Sequence, residues 1–78
     1  MKLSRHAKSN MKLYDISGSD IIAALHAPDM TAREHTKIIA IKKFGRRFSG
    51  LPLKVVYEKK EDEIFIVTTY PLKKKLWR

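Results

Sequence analysis

The sequence predicts a small α+β domain in which two short N-terminal helices pack on a three- or four-stranded antiparallel β-sheet. Apolar residues recur at helical spacing near the start of the chain, and they alternate with polar residues over the last third. The length of 78 residues suffices for one domain and not for two. We expect residues 1–71 to form that single domain and residues 72–78 to form a basic C-terminal tail.

Two helices are expected in the first part of the chain. The first runs from about Ser4 to Tyr14, on apolar residues at spacings of four, four and three: Leu3, Ala7, Met11 and Tyr14. The second begins with a capping-box pattern, since Ser17 can cap the helix and Asp20 follows three residues later. It ends before Pro28, because proline restricts the backbone of the residue that precedes it.

The segment from Thr31 to Phe44 carries conflicting signals. Thr31 followed by Glu34 repeats the capping-box pattern, which favours a third helix. Three β-branched residues within four positions favour a strand instead: Ile38, Ile39 and Ile41. Local rules divide evenly here, and the resemblance described below favours a strand from about Thr36 to Phe44.

The last third of the chain predicts a β-hairpin. Residues 53–58 alternate in polarity, residues 64–70 are rich in β-forming side chains, and the polar segment from Lys59 to Asp62 separates them. With those four residues as the loop, Val55 pairs with Ile66. This register places seven side chains on the face that would receive the helices: Leu53, Val55, Tyr57, Ile64, Ile66, Thr68 and Tyr70.

The charge balance predicts a polyanionic partner. Seventeen Lys and Arg residues against eight Asp and Glu give a net charge of +9, and the cations cluster within residues 2–12, 42–47 and 73–78. Clustered cations on a small body favour RNA or DNA. Cations combined with a stacking ring at Trp77 suit single-stranded RNA. A merely solvated basic surface, as in heat-adapted proteins, is the alternative.

Other classes of protein are disfavoured by the composition. The chain has no cysteine, which removes disulfides and thiolate metal sites. It has no run of about 20 apolar residues and no signal-peptide pattern, so we expect a cytoplasmic protein without membrane contact. His26 and His35 have no partner at metal-ligand spacing, so neither a metal nor another cofactor is expected.

Several short motifs follow one another in a recognisable order. Ser4-Arg5-His6-Ala7 opens the first helix, Ile16-Ser17 follows it, a short helix runs from Asp20 to Pro28, and the hairpin closes with Val67-Thr68-Thr69-Tyr70-Pro71. Their order and spacing, from about Ser4 to Pro71, resemble a small bacterial and archaeal family known as domain of unknown function 4258. That family is grouped with RelE-like and BrnT-like toxins, within a wider set of metal-independent ribonucleases.

The resemblance implies two helices on a curved antiparallel sheet, with RNA cleaved on the sheet or at its edge. It also implies an antitoxin protein as a partner, and a homodimer is a further expectation. The matching positions are His6, Thr68, Tyr70 and one basic residue among Lys37, Lys42, Arg46 and Arg47. Two alternatives are a non-catalytic nucleic-acid- or ribosome-binding module and a domain that binds an acidic protein.

Metal-free RNA cleavage needs a base, an acid and cations around the phosphorus atom. The expected catalytic residues are His6, Arg46, Thr68 and Tyr70, with His6 as acid or base and Arg46 as a phosphate clamp. We expect the first helix to bring His6 beside Tyr70, because it should cover the face on which Tyr70 lies. Further nucleic-acid contacts are expected from Lys37, Lys42, Arg47, Lys54, Lys73, Lys74, Lys75 and Trp77.

Overall fold

Two helices and a mixed five-stranded sheet form the structure, a computed structural model that describes residues 1–72. The helices are α1 (Arg5–Tyr14) and α2 (Gly18–His26), and a 3₁₀ turn spans Arg47–Gly50. The strands are β1 (Lys2–Leu3), β2 (Met30–Glu34), β3 (Lys37–Lys42), β4 (Leu53–Lys60) and β5 (Glu63–Pro71). The sheet order is β1-β5-β4-β3-β2, with β1 parallel to β5 and every other neighbouring pair antiparallel.

The α+β class and the two helices are confirmed, whereas the expected three- or four-stranded antiparallel sheet is wrong. The strand expected from Thr36 to Phe44 is present as β3. Thr31 and Glu34, whose spacing imitates a capping box, lie in β2 instead of a helix. A two-residue turn joins β2 to β3, and His35 adopts φ 60° there. The pairing with β3 outweighs the local capping pattern, as tertiary context commonly does.

The second helix starts as its sequence predicts. The Ser17 side chain accepts from the Asp20 backbone N–H at 3.1 Å, and the Asp20 carboxylate accepts from the Ser17 N–H at 2.9 Å. This reciprocal pair satisfies two N–H groups that a helix end otherwise leaves free. Both helices then pack on one face of the sheet, around a buried core of Ala7, Ile16, Ile21, Ala24, Leu53, Val55 and Ile66.

The register of the β4–β5 hairpin differs from the predicted one. Lys60 pairs with Glu63, so the loop has two residues instead of four. Glu61 adopts φ 56°, a conformation that allows so tight a turn and that few residues other than glycine favour. A register shift between Val56 and Tyr57 then places one extra residue in β5. Val55 therefore pairs with Thr69, and the predicted pairing with Ile66 is wrong.

The extra residue exchanges the sheet faces on which the side chains at the end of β5 lie. Ile66 still faces the helices, but the next side chain buried on that face is Thr69, which is fully buried. Its Oγ1 donates to the Lys54 carbonyl at 2.9 Å. Thr68 and Tyr70 consequently lie on the face turned away from the helices, contrary to the predicted arrangement.

The start of α1 closes the outer edge of β5. The Ser4 backbone N–H donates to the Ile66 carbonyl at 3.0 Å, and the Ser4 hydroxyl donates to the Val67 carbonyl at 2.6 Å. Further along the helix, the Asn10 amide donates to the Thr69 carbonyl at 3.1 Å. The Ser4 hydroxyl also accepts from the Ala7 N–H at 2.9 Å, so one side chain caps the helix and ties it to the sheet.

We predict that Ser4→Ala lowers the free energy of unfolding by about 1–2 kcal/mol, because it removes a helix cap and leaves the Val67 carbonyl without its donor. Ser9→Ala is the matched control, since Ser9 is exposed on the same helix. Alanine favours a helix slightly over serine, so this control should be neutral or slightly stabilising. Urea unfolding monitored by circular dichroism measures the unfolding midpoint of each variant. Equal midpoints for the two variants would contradict the proposal that Ser4 anchors α1 to β5.

Candidate nucleic-acid interface

Both helices cover one face of the sheet, and no helix of residues 1–72 lies on the other. Side chains of this second face alternate along β4 with the buried Leu53 and Val55, and the strand register extends the pattern to the neighbouring strands. We call it the open face, and its central side chains are Ile39, Ile41, Lys54, Val56, Phe65, Thr68 and Tyr70. It combines an apolar surface with an ammonium group, a hydroxyl and a phenol.

Lys54 and Tyr70 form a cation–π pair on the open face. They lie opposite each other in β4 and β5, with Lys54 Nζ 5.4 Å from the centroid of the Tyr70 ring. The next pair along the strands is Val56 with Thr68. Thr68 Oγ1 is buried and has no hydrogen-bond partner among the described residues. Buried hydroxyls are usually satisfied, so an unpaired one beside a cation and a phenol marks this area as a candidate site.

The two ends of the sheet differ in net charge. Where β3 ends and β4 begins, the chain carries five cations that we call the basic end: Lys42, Lys43, Arg46, Arg47 and Lys54. The tip of the β4–β5 hairpin, at the other end, carries Lys59 and Lys60 together with half of the eight acidic residues: Glu58, Glu61, Asp62 and Glu63. A polyanion is therefore attracted more strongly to the basic end than to the hairpin tip.

Two cations predicted to contact nucleic acid form bonds within the fold. Arg47 donates from Nη1 to Asp20 Oδ1 at 2.8 Å and from Nη2 to the Asp15 carbonyl at 3.2 Å. The Asp20 side chain is only 6 % exposed, so Arg47 neutralises a buried carboxylate. Lys42 Nζ donates to the Ala27 carbonyl at 2.9 Å, where α2 ends. A phosphate would have to compete with these internal partners.

The remaining predicted cations differ in where they lie. Arg46 is exposed in the loop between β3 and β4, after Gly45, which adopts φ 65°. Lys37 is exposed at the start of β3, at the end of the sheet away from Arg46, and pairs with Glu34 in the register. Arg46 and Lys54 therefore belong to the basic end, and Lys37 does not.

His6 does not meet the other three predicted catalytic residues in the way the sequence suggested. It is exposed on α1, which packs against the face opposite to Tyr70 and Thr68. No hydrogen bond or ring contact joins His6 to Tyr70, Thr68 or Arg46 in the described chain. The expected convergence depended on Tyr70 facing α1, and the extra residue in β5 turns it to the open face.

Part of the predicted site lies outside the described residues, namely Lys73, Lys74, Lys75 and Trp77. The described chain ends just after β5 at the basic end, where the Leu72 N–H donates to the Pro52 carbonyl at 2.9 Å.

Sequence reasoning missed the apolar part of the open face. Phe65 was assigned to the face opposite to Tyr70, and the register shift brings both rings to the same face. Ile39 and Ile41 alternate with Ala40, which is buried on the helix side, so they also lie on the open face. The alternation of Ile39 and Ile41 with Ile38 and Ala40 indicates two faces of a strand. Because all four residues are apolar, the sequence does not show which pair faces away from the helices.

Neither metal ligation nor the groove at the hairpin tip adds chemistry to the open face in residues 1–72. Within residues 1–72, no group of three His, Asp or Glu side chains is arranged to hold a metal ion. An open groove of about 530 Å³ lies at the hairpin tip, lined by residues that include Lys2, Lys60, Glu61 and Asp62. Its mixed charges suit a polyanion less well than the basic end does.

The comparison with protein families decides the relationship that the motifs suggested. The family model described as domain of unknown function (DUF4258) matches residues 3–71. The chain belongs to the DUF4258 family. No match was found among curated proteins or among solved structures. The DUF4258 match spans both helices, all strands except the first residue of β1, and the whole open face.

Within residues 1–72, both α-helices of this DUF4258 protein are short, with 10 and 9 residues. Neither α1 nor α2, the α-helices described here, is long and apolar enough to cross a bilayer.

We predict that Arg47→Ala destabilises the fold by about 1–3 kcal/mol, because it leaves the buried Asp20 carboxylate without its charged partner. The half-exposed position of Arg47 keeps the cost below that of a fully buried pair. Arg46→Ala is the matched control and should change stability by less than about 0.5 kcal/mol. Chemical unfolding of the two variants checks this, and a larger loss for Arg46→Ala would refute the assignment of roles.

Proposed function

We propose that this protein binds single-stranded RNA on the open face and that the RNA strand reaches this face from the basic end. The observation that supports this most strongly is the Lys54–Tyr70 pair on a sheet face that no described helix covers. An aromatic ring offers a stacking surface to a base, and an adjacent ammonium group attracts the phosphate that follows it. Both groups lie at the basic end, where the local charge favours a polyanion.

Two aromatic rings on the open face allow more than one base to stack. Tyr70 pairs with Lys54, and Phe65 pairs with Glu58, four residues further along β4. At about 3.3 Å per residue, the two rings are on the order of 13 Å apart along the strands. The side chains of Val56 and Thr68 lie between them. This apolar path suits unpaired bases, which expose both faces, better than it suits a duplex.

Phosphate contacts would come from Lys54 and the exposed Arg46 at the basic end, and from Lys73, Lys74 and Lys75, which follow the described residues in the sequence. Arg47 serves mainly to hold Asp20, so we assign it a structural role instead of a phosphate clamp. We place this activity in the cytoplasm, because RNA is abundant there and a chain without cysteine needs no oxidising compartment.

We predict that Lys54→Ala lowers the slope of log affinity against log salt by about 0.7, the value for one phosphate contact of a single strand. Tyr70→Ala should weaken binding by about 1–3 kcal/mol at one salt concentration, because it removes a stacked base. Replacing Lys73, Lys74 and Lys75 together should lower the slope by roughly two units. Fluorescence anisotropy with a labelled single-stranded RNA measures all three.

Lys12→Ala is the control, because Lys12 is exposed on α1, away from the open face. It removes the same charge, so an unaltered slope for Lys12→Ala separates local contacts from the effect of net charge. If Lys12→Ala and Lys54→Ala reduce the slope equally, binding is non-specific and the open face is not the interface. If no RNA binds and an acidic protein does, the protein-interaction alternative replaces this proposal.

A second candidate function is metal-independent RNA cleavage of the RelE/BrnT toxin type, with an antitoxin protein as the inhibitor. The observation that favours it is the Tyr70 phenol beside the Lys54 ammonium group on the open face. Together these supply a cation able to stabilise the negative charge of a phosphate and a phenol able to transfer a proton. Cleavage by attack of the 2′-hydroxyl leaves a 2′,3′-cyclic phosphate and a 5′-hydroxyl, with no metal required.

We predict that the protein cleaves RNA in excess EDTA and that Tyr70→Phe slows cleavage by about 10²–10⁴-fold, the usual contribution of a general acid or base. The ring remains, so RNA affinity should hardly change. His6→Ala should leave the rate intact, since His6 lies on α1 against the other face. Product ends are identified by mass spectrometry. If His6→Ala slows cleavage and Tyr70→Phe does not, His6 is the catalytic residue and Tyr70 is not. If the wild-type protein does not cleave RNA, the cleavage proposal fails and the RNA-binding proposal stands alone.

A further inference from the structure

Within residues 1–72, other parts of the chain cover the outer edge of β5 but not the outer edge of β2. The outer edge of β5 is occupied by β1, by Ser4 and by Asn10, which together bond the carbonyls of residues 66, 67 and 69. At the opposite edge, all five residues of β2 are exposed, and in residues 1–72 no hydrogen bond reaches β2 from any element except β3. An edge strand with unpaired backbone groups is a template for another strand.

The turn geometry identifies which backbone groups of β2 face outward. Glu34 and Lys37 close a two-residue turn, so they form a hydrogen-bonded pair. Hydrogen-bonded and non-hydrogen-bonded pairs alternate in an antiparallel ladder, so Glu34, Ala32 and Met30 bond to β3. Thr31 and Arg33 therefore direct their N–H and C=O groups away from the sheet. The free edge of β2 thus presents two N–H donors and two C=O acceptors, which belong to Thr31 and Arg33.

We propose that β2 pairs with β2 of a second copy of this chain, antiparallel and centred on Ala32. In this register Thr31 bonds to Arg33 of the partner and the reverse, which gives four backbone hydrogen bonds around a two-fold axis. The two Ala32 residues then face each other as a non-hydrogen-bonded pair, where side chains come closest and a methyl group fits. Arg33 of each copy lies opposite Thr31 of the other copy, and Glu34 lies opposite Met30 in the same way. No like charges therefore lie directly opposite each other.

The charges along β2 are compatible with a second copy as the occupant. The domain carries a net charge of +9, which opposes association, but β2 itself carries one cation and one carboxylate, Arg33 and Glu34, so its edge is neutral. β2 starts at the basic end and finishes at the end of the sheet that carries the hairpin tip, where Lys59 and Lys60 accompany the acidic residues. Antiparallel pairing therefore sets the basic end of each copy beside an end of mixed charge and not beside a second basic end. Charges farther apart than about 8 Å are largely screened at physiological salt.

The resulting dimer has one continuous ten-stranded sheet. Its two-fold axis is perpendicular to the sheet, so both sets of helices lie on one side and both open faces on the other. The pairing does not depend on the proposed RNA binding, because no side chain of the Lys54–Tyr70 pair takes part in it. The following experiments use protein without RNA, so their outcome is separate from that of the proposed function.

Cysteine cross-linking tests the register directly, because the chain has no cysteine of its own. In the proposed register the two Ala32 Cα atoms are about 4.5 Å apart, within the range of about 4.4–6.8 Å that a disulfide spans. Residues 31 and 33 meet their own copies only diagonally, at about 7–8 Å. In a glutathione redox buffer, Ala32→Cys should therefore run mainly as a disulfide dimer, whereas Thr31→Cys and Arg33→Cys should remain mainly monomeric. Equal cross-linking of the three variants would overturn the register.

A proline variant tests the hydrogen bonds. Thr31→Pro removes an N–H that faces outward and is compatible with an edge strand, so the ladder to β3 remains intact. Added to Ala32→Cys, it should abolish the disulfide dimer, whereas Thr31→Val, which keeps the N–H, should not. Circular dichroism confirms that each variant is folded. Undiminished dimer in the folded proline variant, or monomeric wild type by sedimentation at every concentration up to its solubility, would reject pairing through β2.

Discussion

The extra residue that β5 accommodates opposite Val56 and Tyr57 determines which chemistry each face of the sheet presents. Before that point, Ile66 contributes to the core, and after it Thr69 does. Without the shift, the Tyr70 ring would lie beneath α1, and the Lys54 side chain would lose its aromatic partner. A bulge of this kind re-aims side chains at the cost of locally disrupted pairing. The candidate interface therefore depends on one irregularity in the backbone.

The Ser4 anchor explains how this irregularity is tolerated. A bulge disrupts the ladder locally, and β1 ends beside it at Leu3. Hydrogen bonds from the Ser4 backbone and side chain satisfy the carbonyls of Ile66 and Val67 there. Satisfied carbonyls cost little, whereas buried unpaired ones are expensive. The first turn of α1 thus stabilises the strand distortion that turns Tyr70 outward.

Helix boundaries could be predicted from the sequence because their signals are local. Ser17 and Asp20 form the predicted capping box, and Asp20 then uses its second oxygen to bind Arg47. That ion pair joins residues 27 positions apart, and no short-range pattern indicates it. The β-branched residues of β3 correctly predicted a strand, whereas the spacing of Thr31 and Glu34 imitated a cap inside β2.

The turns and the candidate site were harder to predict for a physical reason. Both two-residue turns place a residue other than glycine at positive φ, His35 in one and Glu61 in the other. Glycine and asparagine are the usual signals for such turns, and neither is present here. A loop assigned two residues too long shifts the register by two and keeps each side chain on its face, and the bulge then reverses the facing of Thr68 and Tyr70. Thr68 and Tyr70 were therefore assigned to the wrong face, whereas Lys54 was assigned to the face on which it lies.

The pairing of β1 with β5 also limits how this domain can form during synthesis. Ser4 and Asn10 bind residues 66, 67 and 69, so the first helix acquires its partners only when nearly the whole domain has been made. At about 5–20 residues per second, α1 waits several seconds on the ribosome with its apolar stripe uncovered. A helix of 10 residues is marginal in isolation, so it would not persist alone. The native contacts of α1 with β5 can therefore form only after β5 has been translated.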